Sequence, residues 1–446
     1  MKPQLTVPMP TDGAPILGNF DVIVGGSGSS GICAALAAAR MGATVAIIDA
    51  FPNIGGTSGS GLPLLTTNDY NGKQLSGGIL EEIMEALRKE SAFDGNLTTG
   101  FYFCYDVDKY RLIVTRKLLD AGVKIITFTS IVGIQREGPR LTNLLVHQKE
   151  GFAGYGARVF IDCTGDADIA ALCGEPMMEN EIDGKPQPPT LLFFVANIET
   201  EELDWSWVQN LWDELRPVKH WINPRVGRAL SPPFCYPGKK GFHGFNVTRS
   251  LGIDATRTAD LVRMEIEQRE QVDEFFYKFL KVHVPAFRNA FLTGTHFVSG
   301  IRESRRIRGH FVLTERPIRS QEEFPDAVAW SSYPIDRHSS AQGTTDFREE
   351  EARLPGYYSI PFRVMIPQNT PNLLISGRCV SADEIAFSAI RVMGTTMALG
   401  ESAGIAAAIM AKKGLDNTEV PVDEVRAILK RNGAFVNKAT PAPIEE

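Results

Sequence analysis

A chain of 446 residues is too long for one typical domain, so two or three lobes are expected. With 43% hydrophobic and 22% charged residues it has the composition of a globular protein with a large core, which excludes a disordered or fibrous chain. The formal net charge of -7 lacks the basic footprint of a nucleic-acid binder.

From Met1 to Phe20 no basic region precedes an apolar run, so no secretory signal is expected. No stretch of about eighteen apolar residues occurs, so no membrane span is expected either. Asp21–Val24 is a short buried strand. A glycine- and serine-rich turn follows from Gly25 to Gly31, and Ile32–Arg40 is an alanine-rich helix ended by Gly42. Thr44–Ile48 is a second β-branched strand, closing at Asp49. Strand, turn, helix and parallel strand make a βαβ unit.

Inside that unit Gly26, Gly28 and Gly31 read G-x-G-x-x-G. The first glycine permits the tight turn, the second lets backbone approach a diphosphate, and the third lets helix and strand pack closely. Ser29 and Ser30 lie in the turn before the helix, whose first N–H groups face the anion. Asp49 is placed to accept hydrogen bonds from a ribose. A glycine turn alone is a weak signal; with strand, helix, second strand and acid in place it predicts dinucleotide binding.

Farther along, a glycine-dense loop covers 52–61, and Ile79–Glu90 has helical spacing. Asp106 caps a helix running to Ala121, stopped by Gly122. Lys124–Ile134 alternates as a strand. Leu141–Lys149 and Ala157–Ile161 are strands joined by a glycine-rich hairpin. Beyond Met177 prolines, tryptophans and charges rise, and Thr256–Leu280 reads as one long amphipathic helix. The 361–367 segment returns to a strand-like pattern, Asn372–Ser376 is an apolar strand, and Gly394–Lys413 is an alanine-rich helix closed by Gly414. A frayed tail is expected from Asn437. The six cysteines are scattered without C-x-x-C spacing, as expected of reduced thiols in a cytoplasmic enzyme holding no metal.

The fingerprint does not choose between NAD and FAD; resemblance does. Gly55-Gly56-Thr57 looks like the double-glycine extension of flavoproteins. Ile161-Asp162-Cys163-Thr164-Gly165-Asp166-Ala167-Asp168 resembles their A-T-G-D segment. Asn372–Arg378, followed by Gly394, Gly400 and Gly404, resembles their C-terminal flavin segment. With Ile301–Arg306, Tyr358–Arg363 and Ser388–Met393, the chain resembles the bacterial FAD-dependent oxidoreductases that include tricarballylate-dehydrogenase-like and xanthan-lyase-associated members. Matches run from Asp21 to Ala411, patchily in the middle. One departure is Glu384, where many relatives carry histidine.

The resemblance implies an α/β architecture: a Rossmann-like FAD domain of the two-dinucleotide-binding type with an inserted mixed α+β substrate lobe. The FAD domain would take residues 1–176 and 355–446, and the lobe 177–354. It implies cofactor contacts at Ala50 beside Asp49, at Gly56, Thr57 and Ser58, and at Thr164, Gly165 and Asp166. Others fall at Gly377 and Arg378, and at the helix start through Gly394, Thr395 and Thr396, whose dipole would face the flavin pyrimidine. Ile131 or Val132 would meet the adenine through its backbone.

On the substrate side Arg302, Arg305, Arg306 and Arg308 crowd together, and Arg302 or Arg305 is a candidate clamp for an anion; interdomain ion pairs are the plainer role. His243 and His296 are candidate bases, either being more often a structural loop histidine. Tyr357 and Tyr358 are candidate pocket walls or core aromatics. The expected reaction is hydride transfer between a small anionic or carbohydrate-like molecule and FAD. Two rivals stand beside it. An NAD(P)H-dependent reductase lacks its second glycine fingerprint, and a flavin-binding RNA-modifying or scaffold protein lacks a basic stripe. The electron acceptor and the oligomeric state, monomer or homo-oligomer, stay open.

Overall fold

The computed structural model describes residues 13–65, 68–69, 74–93, 95, 102–180, 184–225, 230–338 and 356–434. The chain opens with β1 (Ile16–Gly25), α1 (Ser29–Arg40) and β2 (Val45–Ile48). A short ladder of β3 (Leu64–Leu65) with β4 (Tyr102–Phe103) brackets α2 (Ile79–Lys89). In α3 (Val107–Asp120), the Asp106 carboxylate accepts from the N–H groups of Asp108 and Lys109, the capping that its position predicts. Then come β5 (Lys124–Ile126), β6 (Ser130–Glu137), β7 (Arg140–Gln148), β8 (Gly151–Asp162) and α4 (Asp168–Leu172).

The inserted lobe contains β9 (Phe193–Ala196), α5 (Trp205–Lys219), β10 (Phe234–Cys235), β11 (His243–Phe245), α6 (Thr258–Val272) and β12 (Phe291–Thr295). Its antiparallel sheet runs β10-β11-β9-β12. The helices cover that sheet with a separate aromatic core, in which Phe193 stacks on Phe245 and Trp212 on Trp221. Chain return is through α7 (Glu315–Ser320), β13 (Ala327–Ser331), β14 (Tyr358–Pro361), β15 (Leu373–Ile375), α8 (Glu384–Ile390), α9 (Met393–Lys413) and α10 (Val422–Arg431).

The main sheet has parallel strands in the order β5-β2-β1-β8-β15, with β6 and β7 as an antiparallel meander on the other half of β8. Val22, Ile23 and Val24 are fully buried in the centre of this sheet, where α1 and α9 pack on β1. The core around it draws on Val22–Cys173 and on residues from Ile307 to Leu429. Residues 307–335 therefore pack with the flavin-side core, although their mixed composition groups them with the inserted lobe.

Several elements depart from expectation. Lys124–Ile134 is two strands, because Phe128 takes a positive φ of 56° and breaks the run between β5 and β6. The glycines at 151–156 form strand rather than hairpin. A Cβ on Gly156 would run into the side chains of Asn19 and Asn143, so glycine lets β8 lie tightly between two partners. Of the 361–367 segment only Pro361 is in a strand, the end of β14; Phe362–Met365 is a 3-10 turn. The long middle helix changes at Val272 into a π-helical stretch, Asp273–Leu280. The expected tail from Asn437 lies outside the described residues.

No single helix among the described residues is long and apolar enough to cross a membrane; α8 and α9 pass together but are bent by 91°. Nearly all of α9 is buried against the rest of the protein. Its Gly400 and Gly404 lie on α1, where an added Cβ would overlap the carbonyls of Ser30 and Ala34. The Gly404→Leu variant should lose about 1–3 kcal/mol from forced separation of the helices, read as a lowered Tm by scanning calorimetry; an unchanged Tm would contradict the contact.

Candidate functional site

The carboxyl ends of β1, β2, β8 and β15 point to one side of the sheet, where α/β proteins bind ligands. A cavity of about 540 Å³ opens there. Its floor is the turn between β1 and α1. Gly26 has a φ of 92°, and a Cβ there would strike the Cys163 carbonyl. A Cβ on Gly31 would overlap the Gly26 carbonyl, so Gly31 closes the turn from behind and does not line the cavity. Gly28 is different: nothing lies within 4 Å of where its Cβ would be, and it lines the open space with Ser29 and Ser30.

The first turn of α1 has neither a side-chain cap nor an acidic residue, leaving its positive dipole end to the cavity. Asp49, beyond β2, accepts from the Ser27 amide (2.6 Å) and hydroxyl (2.7 Å) through Oδ2 and from the Phe51 amide (2.8 Å) through Oδ1. Ala50, Gly56, Thr57 and Ile131 continue the same wall. A Cβ on Gly56 would press on the Gly28 Cα, so the second glycine loop seats directly on the first.

Opposite, the end of β8 is pinned by Asp162. Its buried carboxylate accepts from the Thr164 amide and hydroxyl and from the Ala170 amide. This fixes Thr164, Gly165 and Asp166 on the cavity wall. Arg378, which lines the cavity with Gly377, pairs with Asp166 at 2.8 Å. Asp168 pairs with Arg305, and burial followed by the charges of Asp162 and Asp166 raises it to about 6. Arg305 thus braces this loop instead of clamping an anion.

The inserted lobe closes the far wall with Leu261, Met264 and Glu265 of α6 and the segment from His296 to Ile301. Phe297 meets Phe51 edge to face at 5.4 Å, bridging the two lobes. His296 Nδ1 lies 2.8 Å from the Val298 carbonyl and donates to it, while Nε2 is buried without a hydrogen-bond partner. Burial holds its pKa below the ordinary value, so the ring rests neutral with the lone pair on Nε2.

Arg391, Met393 and Thr396 line the remaining stretch, at the entry to α9. Arg391 is held by the Asp336 backbone carbonyl (2.9 Å) and carboxylate (3.3 Å). Asp336 also accepts from the Tyr333 hydroxyl and faces His338 Nε2. His338 Nδ1 takes a hydrogen bond from Arg249, and burial drives this imidazole down to about 3, so it is neutral. Arg302 stands within electrostatic reach of Arg391. It donates to the Pro188 carbonyl and the Asn246 side-chain oxygen, both neutral, and burial followed by the charges of Arg391 and Arg249 lowers it to about 9. Such a cation is costly to hold without an anion.

Several expected residues lie elsewhere. His243 is on β11, its Nε2 3.1 Å from Cys235 Sγ, and does not line the cavity. Tyr358 is a core residue whose hydroxyl donates to the Ala389 and Tyr333 carbonyls. Ser58 is buried against the Gly55 carbonyl and the Tyr110 hydroxyl. Val132 is exposed to solvent, since strand alternation turns it opposite Ile131. Thr395 bonds the Ser331 hydroxyl, and Gly394 is buried beside it without lining the cavity. Glu384 is buried at the start of α8, away from the cavity wall. Arg391, Glu265, Phe51 and Phe297 were missed. Arg391 sits in the Ser388–Met393 piece, a signal that was present; Glu265 had none beyond helical spacing.

The residues present fit FAD. An uncapped helix end faces open space at Gly28, a carboxylate follows β2, and the cavity continues to the start of α9. Gly28→Val should fold normally, since its side chain enters empty space, but should purify without flavin. A folded variant that keeps a full complement of flavin, read from its absorption spectrum, would contradict that placement.

A family model described as FAD dependent oxidoreductase matches residues 21–429. No curated protein matches the chain. Among solved structures, a geranylgeranyl bacteriochlorophyll reductase-like protein from Thermoplasma acidophilum is 14% identical, covering 93% of this chain and 84% of that one, with a TM-score of 0.45. The flavin-dependent brominase Bmp2 is 13% identical over 92% of this chain and 83% of its own, with a TM-score of 0.47. The myxobacterial chondrochloren halogenase CndH is 13% identical over 93% and 79%, with a TM-score of 0.47. With the family match spanning nearly the whole chain, the protein belongs to the FAD dependent oxidoreductase family.

Proposed function

We propose that the protein is a dehydrogenase for a small carboxylate-bearing molecule, with the reacting carbon held between Arg391 and His296. The observation that carries this reading is the pair of guanidiniums at one end of the cavity, Arg302 buried and Arg391 partly exposed. Arg391 lines the wall and Arg302 stands behind it with only neutral acceptors. An incoming carboxylate would offset the charge repulsion between them, and guanidinium geometry favours two-point recognition of that group.

FAD, when bound, supplies the two-electron acceptor for a hydride. The turn at Gly28 and the first N–H groups of α1 would hold its diphosphate, and Asp49 would accept from its ribose hydroxyls. Asp336 fixes the Arg391 fork in place. His296 replaces His243 as the base. Among the described residues it is the histidine that lines the cavity, and its Nε2 lone pair takes the proton from the substrate hydroxyl as the carbon is oxidised. The walls contributed by α6, Phe51 and Phe297 exclude water from that transfer.

Anaerobic mixing with 2-hydroxy acids, neutral sugars, amines and NADPH tests the reading. A carboxylate-bearing donor should bleach the flavin while the neutral sugars and NADPH do not. Bleaching by NADPH, or equal rates with neutral sugars, would overturn it. Arg391→Lys keeps the charge beside Asp336 but loses the planar fork. KM should rise by roughly tenfold to a hundredfold, the loss of one charge-assisted hydrogen bond, with flavin content unchanged; an unaltered KM would contradict the role.

The pH dependence follows from His296. Its pKa in the folded protein is below the ordinary 6.5, so the base form persists as pH falls to that value and is lost only when pH passes through the lowered pKa. The acid limb of kcat/KM should therefore lie below pH 6.5 and vanish in His296→Gln. An acid limb above that value, or one retained in the variant, would remove His296 from the mechanism.

A further inference from the structure

His243 is not used by the site above, and its surroundings point to another chemistry. In the β10–β11 ladder Cys235 and His243 are directly opposite, so their side chains share one face of the hairpin. His243 Nε2 is 3.1 Å from Cys235 Sγ. The imidazole is buried, with its Nδ1 enclosed and making no hydrogen bond, while the cysteine is exposed. Among the described cysteines Cys235 is the exposed one; Cys33, Cys163, Cys173 and Cys379 are buried and Cys104 is intermediate. Neither member of the pair lines the large cavity.

A solvent-facing thiol backed by a buried imidazole has two parts of an activated nucleophile: sulfur within hydrogen-bond reach of a base, and a base confined by packing. We propose that Cys235 and His243 form a thiol modification site that reacts with low-molecular-weight disulfides, separate from the flavin site. Cys235 Sγ–H hands its proton to His243 Nε2 as the sulfur attacks one sulfur of the disulfide. A new S–S bond forms on Cys235, the old S–S bond breaks, and the departing thiolate takes up a proton. The incoming disulfide is the oxidant.

Burial raises the Cys235 thiol and lowers the His243 imidazole, so at rest the proton stays on sulfur and both groups are neutral. The pair is therefore a thiol with a waiting acceptor rather than a standing thiolate. Reactivity depends on the proton transfer, and hence on His243, more than on thiolate present in advance.

The experiment treats the flavin-loaded protein with oxidised glutathione and, separately, with iodoacetamide, mapping adducts by mass spectrometry against time. The expected result is that Cys235, the exposed cysteine with an imidazole at hydrogen-bond distance, is modified before Cys104. Cys235→Ser should abolish the early adduct, and His243→Gln should slow it about tenfold without altering flavin content. First modification at another cysteine, or an equal rate in His243→Gln, would overturn the proposal. Should that variant fail to fold, the wild-type comparison decides: an adduct at Cys235 that forms no earlier than one at Cys104 overturns it equally.

Discussion

The site depends on one close approach, that of α1 to the strands beneath it and to α9 above it. Gly26 and Gly31 bring the turn down onto β8, and Gly400 and Gly404 bring α9 onto the α1 backbone. Side chains at these four positions would push α1 away from its neighbours. The helix end would then no longer face the cavity, and the carboxyl ends of β1 and β8 would no longer frame it. Backbone proximity, not a set of reactive side chains, therefore makes the cofactor site, and the remaining polar contacts hold loops against that frame.

The second constraint is electrostatic. Charges around the cavity are grouped so that each end has its own balance. Near the helix end, Asp166, Asp168, Arg305 and Arg378 form mutual pairs that tie the loop after β8 to the 305 and 378 segments. At the other end, Arg391 pairs with Asp336, while Arg302 donates its hydrogen bonds to neutral oxygens and shares the field of that one carboxylate. One end is closed upon itself; the other holds two guanidiniums beside one carboxylate. The inserted lobe contributes to both, since α6 and Phe297 complete the wall while Arg302 and Asn246 shape the cationic end.

Much of the flavin side was legible in the sequence because its determinants are local. Glycine spacing after a strand, an acid after the second strand and a β-turn-helix order each operate within a few residues. The αL break at Phe128 was not legible, because an aromatic residue gives no turn signal. The strand through Gly151–Gly156 was hidden because glycine there answers to Asn19 and Asn143, which are distant in sequence. For the same reason the substrate side was legible only in part. His243 and His296 occupy similar glycine-flanked segments, and only the pairing of β11 with β10 and of β12 with β9 separates a cysteine partner from a cavity wall. The arginine-rich run at 302–308 announced charge, but its members divide between bracing a loop, pairing with Glu303 and standing behind Arg391.

The central claim is that the frame built by α1 and α9 holds a flavin dinucleotide. It is tested most directly by adding FAD to the purified protein, removing free ligand by gel filtration and recording the visible spectrum of the protein peak. The account predicts a yellow protein with close to one flavin per chain and a band shape distinct from free FAD. A folded protein that elutes colourless after exposure to excess FAD would contradict it.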